Sequence, residues 1–164
     1  MFSAALLTQA EKLLADARAK GLKIATVESC TGGLIAGLLT EIPGSSDVVE
    51  RGFVSYSNEA KQELLGVPEN LIAQHGAVSA EVVRAMALGA LKRSRADLSV
   101  AVTGIAGPGG GTKDKPIGLV YLAAARGERM TLRECRFGDI GRTEVRLKTV
   151  ATVLELLDAL LQSL

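Results

Sequence analysis

The sequence predicts a single-domain α/β fold, a three-layer α/β/α sandwich around a mixed, mostly parallel sheet. Three observations predict it. Helical and extended segments alternate through most of the chain, two glycine-rich stretches directly follow extended segments, and a hairpin of two strands precedes a last apolar helix.

Leu6, Leu7, Ala10, Leu13, Leu14 and Ala17 recur at helical spacing until Gly21 stops the pattern, so the first element is an amphipathic helix. Ile24 to Val27 is a short apolar run suited to a buried strand. After Gly32 and Gly33, LIAGLLTEI predicts a helix ending before Pro43, and PGSSD predicts a loop. A strand through VVERGFVSY, a helix over SNEAKQELLG and a short helix beginning at Pro68 follow. Ser79 can cap a long helix with Glu81 in its first turn. DLSVAVTG predicts a strand ending in glycine, whereas IAGPGGGTKDKPIG is too rich in Gly and Pro to pack as an element and reads as a functional or disordered loop. LVYLAAA and MTLRECRF face each other across RGER as a hairpin. Val150, Val153, Leu154, Leu157, Leu160, Leu161 and Leu164 form one stripe on a closing helix.

Composition narrows the function. The 164 residues are 48% hydrophobic and 23% charged, as expected of a compact fold with a sizeable core. A net charge of +1 and 3% aromatics argue against a nucleic-acid partner, because phosphate neutralisation needs a basic stripe and unpaired bases need stacking platforms. The N-terminus lacks the features of an export signal, and no apolar run approaches the ~20 residues of a membrane span. Cys30 and Cys135 are far apart and show no paired metal-ligand spacing, which suits a reducing cytoplasm.

The strand ends of TVESCTGG and TGIAGPGGG are where ligands of such sheets gather. In the first, Ser29 stands at the turn, and the N–H groups of Cys30, Thr31, Gly32 and Gly33 open a helix as a natural anion hole. The flanking glycines of G-x-S-x-G are absent, so the hydrolase elbow motif is not matched, and a capped helix with tightly packed glycines accounts for the same residues. His75 reads as a structural residue at a helix-to-loop junction. A lysine can serve as base when desolvation and nearby positive charge lower its pKa from ~10.4 by about three units. Lys61 in YSNEAK is the candidate, with Tyr56 from the same corner; the plain alternative is a solvated lysine beside a half-buried tyrosine. Two readings of Cys30 also stand together: a thiolate nucleophile at a helix N-terminus, or a small buried hydrophobe.

Taken in order, ESCTGG, ERGFVSYSNEAK, LGV, QHGAVS, TGIAGPGGGT and KPIG resemble the C-terminal domain of the competence/damage-inducible protein CinA, the family of nicotinamide-nucleotide amidases. The resemblance covers nearly the whole chain. It implies hydrolysis of the carboxamide of nicotinamide mononucleotide to nicotinate mononucleotide and ammonia, without a metal or other cofactor, in pyridine nucleotide recycling. It further implies Ser29 as nucleophile, with Tyr56 and Lys61 as general base and proton relay, and a stand-alone form of the domain. On that basis the amides of Thr31 to Gly33 are expected to hold the oxyanion. Thr103, Gly104, Ile105, Ala106 and Gly107 are expected to cradle the 5'-phosphate with Arg142, while Gly109 to Gly111 read as a mobile rim. A catalytically silent nucleotide-binding or regulatory module is the alternative. LVYLAAA either pairs across subunits or lies buried, and homo-oligomerisation is expected.

Overall fold

A computed structural model describes residues 1–163. Leu164, assigned above to the last apolar stripe, lies outside them. Five strands form one sheet in the order β2-β1-β3-β4-β5. β1 (Ile24–Glu28) lies between β2 (Val49–Val54) and β3 (Leu98–Gly104), parallel to both. β4 (Leu119–Arg126) and β5 (Arg129–Arg136) extend the sheet antiparallel as the hairpin. The sheet is therefore mixed, with a parallel half that sets three strand ends side by side.

Every residue of β1 is buried, as an apolar strand flanked on both edges and covered on both faces must be. Along β3 the side chains alternate. Leu98, Val100 and Val102 face a core completed by α1 (Ala4–Ala19), α2 (Leu34–Glu41) and α6 (Arg142–Gln162). Ala101 faces the other way with Ala123 and Ala125, against α3 (Asn58–Leu65), α4 (Glu69–His75) and α5 (Ala80–Lys92). Small residues on that face let α5 lie close on the sheet.

Three of the helices, α1, α3 and α5, start at serines that cap them. Ser3, Ser57 and Ser79 accept from the N–H groups of Leu6, Ala60 and Val82. Gly89 of α5 has no room for a side chain, because a Cβ there would lie 2.0 Å from the carbonyl oxygen of Leu65. That contact seats the end of α3 on α5, and with it the helix that carries Lys61.

β4 pairs on both sides within the chain, so it lies buried and cannot add to a strand of a second subunit. This removes the strand on which the expectation of self-association rested; the sheet edges are β2 and β5. No helix among the described residues is long and apolar enough to cross a membrane.

Candidate active site

The carboxyl ends of the three parallel strands deliver the candidate residues to one edge of the sheet. Ser29 leaves β1, Ser55 and Tyr56 leave β2, and Thr103 and Gly104 end β3. Glu28 and Val54 are register partners, and the Ser55 N–H donates to the Glu28 carbonyl at 2.8 Å, which ties the first two exits together. Above them lies a cavity of about 210 Å³ lined by Ser29, Cys30, Tyr56, Lys61, Thr103 and Arg142, among others.

Lys61 is 1% exposed, one turn into α3. Its Nζ lies 3.0 Å from Ser29 Oγ, 2.8 Å from the Ser55 carbonyl oxygen and 3.1 Å from that of Tyr56. A neutral amine has two N–H donors and one lone pair. The two carbonyls can take both of those donors, which in the neutral form leaves the lone pair for the Ser29 hydroxyl; the ammonium form would instead donate to all three oxygens. Burial pulls the Lys61 pKa below the ordinary lysine value, and no carboxylate opposes the shift. A Cys30 thiolate would oppose it, but burial pushes that thiol up to about 11, so it is uncharged at neutral pH. The buried thiol fits the hydrophobe reading of Cys30 and not the nucleophile reading.

Tyr56 takes part differently from the expected relay. Its side chain is 60% exposed, and its phenolic oxygen accepts from Arg142 Nη2 at 3.2 Å instead of joining Ser29 or Lys61. What Tyr56 supplies to Lys61 is its main-chain carbonyl.

The expected anion hole at the start of α2 is already filled. The fully buried carboxylate of Glu28 accepts from the N–H groups of Gly33, Ile35 and Ala36 at 3.2, 2.9 and 3.0 Å, capping the helix from the strand that precedes it. Gly33 adopts φ +104, a conformation that suits glycine, and brings the chain around the carboxylate. The Gly32 N–H donates to the Ser29 carbonyl at 3.0 Å. Gly32 and Gly33 thus engage their amides internally, whereas those of Cys30 and Thr31 donate to no acceptor among the described residues. The Thr31 side chain is fully buried, its hydroxyl without a partner.

The second glycine loop divides similarly. Gly104 and Ala106 line the cavity; the Thr103 hydroxyl lines it while donating to the Ala77 carbonyl at 2.9 Å. Ile105 is turned to β4, donating to the Leu119 carbonyl and accepting from Gly118. Gly107 presents its carbonyl, not its amide, to Arg142 Nη1 at 2.9 Å. Arg142 has no carboxylate partner among the described residues, so its charge faces the cavity uncompensated. Asn58, Ala77 and Val78 complete the lining and were not anticipated. No three His, Cys, Asp or Glu side chains among the described residues are grouped to hold a metal ion.

Residues 7–161 match the CinA C-terminal domain. The chain belongs to the CinA C-terminal domain family. Within it, the chain is 50% identical over 159 residues to the nicotinamide-nucleotide amidohydrolase PncC of Escherichia coli K12, covering 96% of this chain and 95% of that protein. It is 51% identical over 139 residues to a putative competence-damage inducible protein of Caldicellulosiruptor bescii, covering 84% of this chain and 33% of that longer relative. Among solved structures, the competence/damage-inducible protein of Agrobacterium tumefaciens superposes with a TM-score of 0.96 at 54% identity, covering 98% of each chain. A CinA superfamily protein of Klebsiella pneumoniae superposes with a TM-score of 0.93 at 30% identity, over 97% of this chain and 99% of that one. The CinA fold is therefore the α/β arrangement described above.

Proposed function

We propose that this protein hydrolyses the carboxamide of nicotinamide mononucleotide, releasing nicotinate mononucleotide and ammonia, with Ser29 as nucleophile and Lys61 as base. The observation that carries the reading is the 3.0 Å approach of a buried, depressed-pKa amine to a serine hydroxyl, its other two acceptors being main-chain carbonyls. The 50% identity to a protein named for nicotinamide-nucleotide amidohydrolysis supports the choice of substrate.

Lys61 takes the Ser29 proton as Oγ bonds to the amide carbon, and the carbonyl electron pair moves onto oxygen. Of the two unengaged amides of the turn, those of Cys30 and Thr31, that of Cys30 belongs to a residue lining the cavity and is the one we assign to that oxyanion, an effect worth ~3 kcal/mol in such a site. The lysine then returns its proton to the departing nitrogen, the C–N bond breaks, and ammonia leaves an ester on Ser29. Water, deprotonated by the same amine, attacks the ester and frees the carboxylate and the serine. Arg142 offers its charge to the 5'-phosphate, and the Tyr56 phenol holds the guanidinium in place. Two free thiols suit a reducing compartment such as the cytoplasm.

Ammonia release from nicotinamide mononucleotide by the purified protein tests the reading. Turnover that disappears in S29A supports it; a wild-type protein that binds the nucleotide without turnover assigns the site to a silent binding module instead.

A further inference from the structure

We propose that Arg146 is a positioning residue for the oxyanion donor, the Cys30 N–H, acting through the main chain of the nucleophile turn. The proposal rests on the acyl-transfer reading above. Arg146 sits one helical turn beyond Arg142 on α6, at the other end of the sequence from Ser29. Its Nε donates to the Cys30 carbonyl at 3.1 Å and its Nη2 to the Thr31 carbonyl at 3.0 Å. It has no carboxylate partner among the described residues.

A trans peptide directs its C=O and its N–H to opposite sides. The Cys30 carbonyl and the Thr31 N–H belong to one peptide, so holding that carbonyl on the guanidinium aims the Thr31 N–H away from α6. The preceding peptide is set in the same manner, because the Ser29 carbonyl accepts from the Gly32 N–H and so aims the Cys30 N–H away from that turn. The Thr31 carbonyl is pinned too, by Arg146 and by the Leu34 N–H, and the amide of its peptide, that of Gly32, is the one that holds the Ser29 carbonyl; Arg146 thus acts on the Cys30 N–H through that chain of contacts. Cys30 lines the cavity beside Ser29, where an oxyanion would form.

The planar fork of arginine spans both carbonyls, which a lysine, a single point donor, cannot do. Gly32 leaves room for that plane: a Cβ there would come 3.3 Å from Arg146 Nη2. The guanidinium also places a fixed positive charge against the turn. Arg142 meets the cavity directly, whereas Arg146 meets only the turn.

Steady-state hydrolysis of nicotinamide mononucleotide by R146A and R146K, each checked by thermal unfolding, tests the assignment. R146A is expected to lose about 10²-fold in kcat with KM within about threefold of wild type. R146K, which keeps the charge and one donor and guards against a folding failure of R146A, is expected to fall about tenfold in kcat. Added guanidinium ion should restore part of the R146A rate at unchanged KM. If wild type turns over and either folded variant keeps kcat within about threefold, or loses affinity with kcat intact, positioning is overturned while the acyl-transfer reading stands. If wild type releases no ammonia, the acyl-transfer reading fails and takes this proposal with it.

Discussion

Lys61 Nζ lies 3.0 Å from Ser29 Oγ, although 32 residues separate the two in sequence. The contact exists because β1 and β2 run parallel with Glu28 beside Val54, so the turn after one strand and the helix after the other begin at the same height. Burial of the amine pulls its pKa down, which suits it to the base role proposed above.

Substituting the turn separates its two reactive side chains. S29A should reduce ammonia release by about 10³-fold or more, because the nucleophile itself is removed. C30A should stay within about threefold of wild type, since a thiol pushed up to about 11 is neither a nucleophile nor a charge at neutral pH. Steady-state rates with both purified variants check this, and the reverse pattern would move the chemistry to Cys30.

Removing the Tyr56 hydroxyl distinguishes relay from anchoring. The main-chain carbonyl that holds Lys61 survives in Y56F, while the contact with Arg142 is lost. A modest rise in KM with kcat within about fivefold is expected; a loss in kcat of about 10²-fold or more would make the phenol a proton carrier. Parallel kcat and KM determinations decide between them.

Glu28 should be a stability residue of the site. In E28Q one oxygen of the carboxylate becomes an NH₂ group that faces helix N–H donors at the start of α2, leaving buried donors without acceptors. Urea unfolding is expected to report a loss of about 2 kcal/mol or more, and a variant as stable as wild type would contradict the capping role.

Periodicity made most of the fold legible. The α1 stripe, the helix after Gly33 and the hairpin across RGER all form where apolar spacing and turn residues place them. The serine capping at Ser79 was equally local. What stayed hidden depended on which way a side chain turns. A glutamate reads as a solvated charge, yet Glu28 is fully buried; its available signal was a carboxylate closing an apolar strand directly before a glycine turn and a helix. The Tyr56 phenol leaves the corner that its carbonyl joins, a choice set by Arg142 on a helix 86 residues away. Arg146 had only its four-residue spacing from Arg142 to mark it, and that spacing puts both on one face of α6 without saying what the face meets.

The charge state of Lys61 is the most direct test. In protein carrying ¹⁵N-labelled lysine, the Nζ resonance lost in K61M should titrate below the ordinary lysine range near ~10.4, as its burial demands. Because the base role proposed for Lys61 requires the deprotonated amine, kcat/KM should rise with pH through that same ionisation and level off above it. Agreement between the two midpoints is the predicted result. An amine that stays cationic at pH values where the enzyme is fully active would contradict the account.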